Sequence, residues 1–210
     1  TACLTISEPI PPKPDRAKLY AIFSAAFNAV LEGQADHAIK RRGLCKTWML
    51  RSPNLGYIPH AQAWVIRVAM PDGESVALKM HRDKPTNGQS KSQWYPLGTE
   101  PADQPRHGYA TLWPPVEWYP KDRLFIAEGE LKAAALISAG FSATAPTTGS
   151  GFKWTPANIA RVAGRHIVVV FDQDEAGNKF RINTINALAG AAASIQAITF
   201  QESDVKGVNA

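Results

Sequence analysis

From Arg123 onward the sequence alternates between short β-branched runs and amphipathic stretches, and that rhythm leaves few folds open. "RLFIAE" reads as a strand, "GELKAAALISAG" as a helix stopped by Gly140, and "FSATAP" as a second strand. A glycine-bearing loop, "TTGSGFKW", then leads to Thr155 and Pro156, which suit the cap and first residue of another helix. "HIVVVF" is a third strand, "EAGNKFRINTINALAG" a third helix and "SIQAITF" a fourth strand. Continuous apolar strands separated by helices predict a parallel sheet covered by those helices. In such sheets the reactive groups gather beyond the carboxyl ends of the strands.

Acids stand at two of those ends. Glu128 follows the first strand, and Asp172, Asp174 and Glu175 crowd the end of the third. Carboxylates packed this closely repel one another, so they are best tolerated in solvent or around a cation. Glu128, Asp172 and Asp174 together supply oxygen ligands for Mg²⁺ while leaving positions for water and phosphate oxygens. An EF-hand loop is excluded, because it needs a preceding helix and an acid at its twelfth position, where Asn183 stands. A phospho-acceptor site would need an acidic pair at an earlier strand end, and there is none. A helix start made acidic to suit its dipole accounts for Glu175 but not for Asp172.

The first half of the chain has a different character. Five basic residues and no acid lie between Lys40 and Arg51, Arg41 and Arg42 among them, and Lys79, Arg82, Lys84 and Lys91 face Asp83 alone. The net charge is only +5, so the asymmetry matters more than the total. A basic half joined to a half with an acidic site suits a polyanion held against a metal centre. Solvated surface patches are the plainer account of the same charges. A helix carrying Leu19, Ile22, Phe23, Phe27 and Val30 opens after Asp15 and stops near Gly33, and "DHAIKRRG" is a short basic helix. "WVIRVAMPDGESVALKMHR" is a hairpin turning at Pro71, Asp72 and Gly73, with Lys79 and His81 on one face of its second strand. Residues from Asp83 to Lys121 read as irregular. The expected division is a linker or extension over 1–14, a smaller basic α+β subdomain over 15–120, and the parallel-sheet domain over 121–210. Two cysteines with no CxxC pair encode neither a disulfide scaffold nor a zinc ribbon. No apolar run approaches the roughly 20 residues of a membrane span and no signal peptide is legible, so a cytoplasmic protein is expected. The first residue is not Met, which fits a piece of a longer polypeptide.

"FIAEGELKAAAL" followed by "IVVVFDQDEAGNKF" resembles the TOPRIM domain of primases, topoisomerases and related nucleases. The hallmarks are a Glu-Gly after the first strand and a DxD after the third. The terminal "SDVKGVNA" is similar to the later acidic motif of primase TOPRIM domains, which would add Asp204 as a ligand. "AIKRRGL" and "KSQWYPLG" carry a looser similarity to the basic part of the bacterial-type primase core, and "EGxLKA" is shared with phage and plasmid relatives. The resemblance implies a primase core that makes short RNA primers on single-stranded DNA from nucleoside triphosphates, with Mg²⁺ or Mn²⁺ and in company with a helicase domain or protein. A TOPRIM nuclease and a non-catalytic DNA-binding module of a mobile element are the competing readings.

On that reading Glu128, Asp172 and Asp174 bind the metal and orient the attacking hydroxyl. Gly129 lets the backbone approach, and Gly149 and Gly151 line the nucleotide pocket. Arg41, Arg42, Lys79, Arg82, Lys84 and Lys91 track the template, with Trp94 and Tyr95 either stacking on bases or packing locally. Two departures from the bacterial pattern stand out. There are no cysteines for an upstream zinc module, and Lys132 replaces the usual aspartate four residues after the motif glutamate. Lys132 lies one helical turn after Glu128, so it can pair with it or contact the triphosphate.

Overall fold

Strand β2 (Ala63–Ala69) is buried along nearly its whole length, so both faces of the sheet around it must be covered. The computed structural model describes residues 16–52, 54–69, 76–86, 88–95, 110–120 and 122–198 of the 210. The expected linker over 1–14, the capping Asp15, the hairpin turn at Pro71, Asp72 and Gly73, and Asp204 lie outside the described residues.

The first half forms a four-stranded antiparallel sheet in chain order, β1 (Leu55–Ile58), β2, β3 (Val76–Arg82) and β4 (Ser92–Trp94). Helix α1 (Arg16–Leu31) covers one face, where Leu19, Phe23 and Ala26 pack on Val65 and Leu78. The two approach so closely that a Cβ on Gly56 would lie 2.8 Å from the backbone of Ala26. The other face carries Leu55, Tyr57, Trp64, Ile66 and Val68, packed with Ala38 and Ile39 of α2 (Asp36–Arg41) and Met49 of α3 (Lys46–Arg51). Leu131 and Ala134 from the second half join that same cluster, so the two halves share one core.

The second sheet has the order β5-β7-β6-β8-β9. Strands β6 (Arg123–Ala127), β7 (Ala143–Pro146), β8 (His166–Val170) and β9 (Ser194–Ile198) run parallel, and β5 (Leu112–Trp113) pairs antiparallel with β7. The expected parallel sheet with covering helices, preceded by a basic α+β half, is therefore observed. The second sheet also takes a strand from ahead of residue 121. Alternation splits β6, with Leu124 and Ile126 packing among Val162, Phe180 and Leu188 of α5 (Pro156–Val162) and α6 (Glu175–Leu188). Ala127 turns to the other face with Ala133, Ala143 and Ala145, where α4 (Glu130–Ser138) lies on small side chains. Thr155 caps α5 as its sequence predicts, accepting from the Asn158 N–H at 3.2 Å.

Candidate active site

The register of β6 against β8 builds the site. Ala127 lies opposite Val170, and the Glu128 N–H donates to the Val170 carbonyl at 3.1 Å. Glu128 and Asp172 consequently emerge side by side, with the Asp172 N–H 3.3 Å from Glu128 Oε2. Lys132, one turn into α4, sits between them: its Nζ is 2.5 Å from Asp172 Oδ2 and 3.7 Å from Glu128 Oε2. The helical spacing that puts Lys132 beside Glu128 thus brings it to both acids.

Asp174 has a different environment. It is the N-cap of α6, and its Oδ1 accepts the Gly177 N–H at 2.7 Å. One of its oxygens is thereby engaged by the helix start, the arrangement expected of a capping aspartate. Among the described residues no group of three or more His, Cys, Asp or Glu side chains is arranged to hold a metal. Glu128 and Asp172 nevertheless fit Mg²⁺ of the kind held by one or two carboxylates and completed by water and substrate phosphates. They do not form an all-protein cage.

Across from the acids, a cleft of about 540 Å³ opens between the two sheets. One wall carries Glu128, Gly129, Lys132, Thr148, Gly149 and Asp172, and the other Arg42, Lys79, His81, Lys91 and Trp94. Gly151 lies in the adjoining 3₁₀ turn, outside the lining. The period of two along β3 separates the predicted template-tracking residues. Lys79 and His81 face the cleft, whereas Arg82, with Lys84 and Tyr95, lines a larger cavity of about 820 Å³ beside α1. These cations therefore make two surfaces instead of one track.

Several are also already engaged. Lys79 is 8% exposed and donates to Glu130 Oε1 at 2.6 Å and to the Thr147 carbonyl at 2.7 Å. It forms a buried tie between β3 and the start of α4, in which Glu130 balances its charge. Arg41 and Arg42 both pair with Asp83, whose side chain is 2% exposed and also accepts from Trp64 Nε1 at 3.3 Å. Trp94 packs against the shared core and beneath Lys79, and Tyr95 packs against the α1 cluster, each partly buried and each also lining a cavity. Sequence reasoning misses the partners of these cations. Asp83 is a lone acid in a basic stretch that tertiary folding of the first half brings to Arg41 and Arg42, and Glu130 reaches Lys79 only through the docking of the halves.

His81 is held neutral. Burial, reinforced by Arg42, Lys91 and Lys79, pushes its pKa down to about 4. Its Nδ1 lies 2.8 Å from Ser92 Oγ, while its Nε2 and the Thr148 Oγ1 are buried without a partner among the described residues.

No protein-family model matches the sequence, and no curated protein does either. Solved structures do match the fold, which is that of a bacterial primase catalytic core. The E. coli primase catalytic core superposes with a TM-score of 0.60 at 14% identity, covering 88% of this chain and 71% of that one. A DNA primase domain from Pseudomonas aeruginosa gives 0.57 at 16%, covering 89% and 71%. The zinc-binding and RNA polymerase domains of the Aquifex aeolicus primase give 0.52 at 16%, and there the chain covers 80% of itself but spans only half of its counterpart. At such identity the likeness is one of fold. Among the described residues no helix is long and apolar enough to cross a membrane.

Proposed function

We propose that this chain is the catalytic core of a primase that joins ribonucleotides into short RNA primers on a single-stranded DNA template. The observation that carries the reading is the apposition of Glu128 and Asp172 at neighbouring parallel strand ends, across a cleft from a basic wall. The primase-core fold supports it.

Glu128 and Asp172 would hold Mg²⁺ or Mn²⁺, with Asp174 and Asp204 as further ligands; the ion would neutralise triphosphate charge and polarise the phosphorus under attack. Lys132 would meet the same phosphates, and Gly129 and Gly149 leave the backbone open to them. Lys91, Lys84 and Arg82 would take the template backbone. A helicase domain or partner would supply the single strand, and a phage or plasmid replication system is the setting that "EGxLKA" suggests.

The test is primer synthesis on single-stranded templates with ribonucleotides and Mg²⁺. Asp172→Ala should abolish it while leaving the thermal midpoint nearly unchanged, since the ion pair it gives up to Lys132 is solvent-exposed and Glu128 keeps the same partner. Wild-type synthesis by that variant would refute the metal assignment. Metal-dependent cleavage of labelled DNA without nucleotides would identify the nuclease reading, and nucleotide incorporation would rule out the non-catalytic one.

A further inference from the structure

The acid pair is not free in this structure, because Lys132 already bridges it. A divalent cation bound by Glu128 and Asp172 would sit roughly 2 Å from an oxygen of each. That is the region the Lys132 ammonium now occupies, 2.5 Å from one acid and 3.7 Å from the other. An ammonium and a divalent ion cannot share it, since like charges a few ångströms apart repel strongly. We infer that Lys132 is a built-in counter-ion that a divalent cation must displace, so that the acid pair binds a metal weakly until the lysine has another anion to meet.

Lys132 is built for such a move. Its side chain is 39% exposed, hangs on a flexible four-carbon stem and borders both the cleft and a neighbouring apolar groove. Apart from Asp172 itself, the groove is walled by apolar side chains (Ala135, Leu136, Val170 and Phe171) and offers an ammonium no other partner, whereas the cleft would offer the phosphates of a nucleotide. The phosphates would draw the lysine off the acids and at the same time complete the coordination of the incoming ion. Metal and nucleotide would therefore enter together, and the repelling carboxylates stay compensated while the site waits. The lysine supplies at rest the positive charge that the ion supplies at work. This inference rests on the metal-dependent reading above.

Direct binding of Mn²⁺ alone, followed by calorimetry and by the paramagnetic resonance signal of the free ion, tests it without any turnover. Wild-type protein is compared with Lys132→Gln, Lys132→Ala and Lys132→Arg, each checked for an unchanged circular dichroism spectrum. Removing the charge in either of the first two should tighten Mn²⁺ by roughly tenfold, while Lys132→Arg should not. Adding Glu128→Gln to Lys132→Gln should cancel the gain. Equal affinity in wild type and Lys132→Gln, lost on Glu128→Gln, would overturn the counter-ion role and leave the metal reading standing. Absence of Mn²⁺ binding in every variant would overturn both.

Discussion

A methyl group at Gly177 would lie 2.1 Å from the carbonyl oxygen of Asp172, so no other residue fits there without moving the acid loop. The same glycine donates its N–H to Asp174, which ties the first turn of α6 to the loop that carries the candidate ligand. Gly177→Ala should therefore cost about 1–3 kcal/mol of stability through overpacking. It should also lower primer synthesis by about a hundredfold through displacement of Asp172. Gly151→Ala is the control, because a Cβ there meets nothing within 4 Å. Equal activity of the two variants would show that the loop tolerates the shift. His81 gives a second expectation at this scale. Its folded pKa of about 4 lies below the ordinary 6.5, so the unfolded chain binds its proton first as pH falls. The stabilisation from a neutral His81 is complete above 6.5 and is lost as pH falls through that value towards 4. Urea midpoints should fall more steeply between pH 6.5 and 5 for wild type than for His81→Gln. Parallel curves would remove His81 from the account.

Helix α4 joins the halves through its first residue as well as through its apolar face. Glu130, 4% exposed, meets Lys79 of β3 at 2.6 Å, while Leu131 and Ala134 enter the core shared with β1 and β2. Lys79→Met should cost about 3–5 kcal/mol because it leaves a buried carboxylate uncompensated, and adding Glu130→Leu should recover most of it. A double variant no better than the single one would mean that the tie serves geometry more than charge balance. This tie also marks where the sequence stops being readable. The series from β6 to β8 was legible because each strand is a short run closed by a glycine, proline or cap, all local signals, and β9 was placed by its position after the third helix. The placement of Glu128 and Asp172 at strand ends followed from it, but that β6 and β8 are neighbours, with β7 on the other side of β6, did not. Strand β1, with its glycine, and the two-residue β5 carry no such signal and exist through pairing with distant partners. The faces of β3 were readable from alternation, but not that Lys79 would be covered, because that depends on where α4 docks.

At the scale of the whole molecule, one core holds a basic sheet against an acidic strand end, with the cleft between them. If the chain holds single-stranded DNA as proposed, the surface for it would be the set of cations that keep exposed charge. Arg41 and Arg42 are held by Asp83 but remain 40% and 32% exposed, and Lys84 follows Asp83 in sequence, so the three can present charge at one edge of the first sheet. Each phosphate they neutralise should contribute about 0.7 to the slope of log affinity against log salt for a single strand. Replacing all three by glutamine should flatten that slope by about 2. The substitution strands the buried Asp83, so Asp83→Asn belongs in the same variant to keep the fold from confounding the result. Lys91→Gln, at the cleft, should lower the slope by about 0.7 on its own if the strand also crosses the active site. Fluorescence anisotropy of a labelled oligonucleotide over a salt series, with and without nucleotide, reads both. If the quadruple variant keeps the wild-type slope, the Asp83 edge is only solvated and the template runs elsewhere. If Lys91→Gln alone lowers it, the strand is held at the cleft, where the nucleotide would be joined.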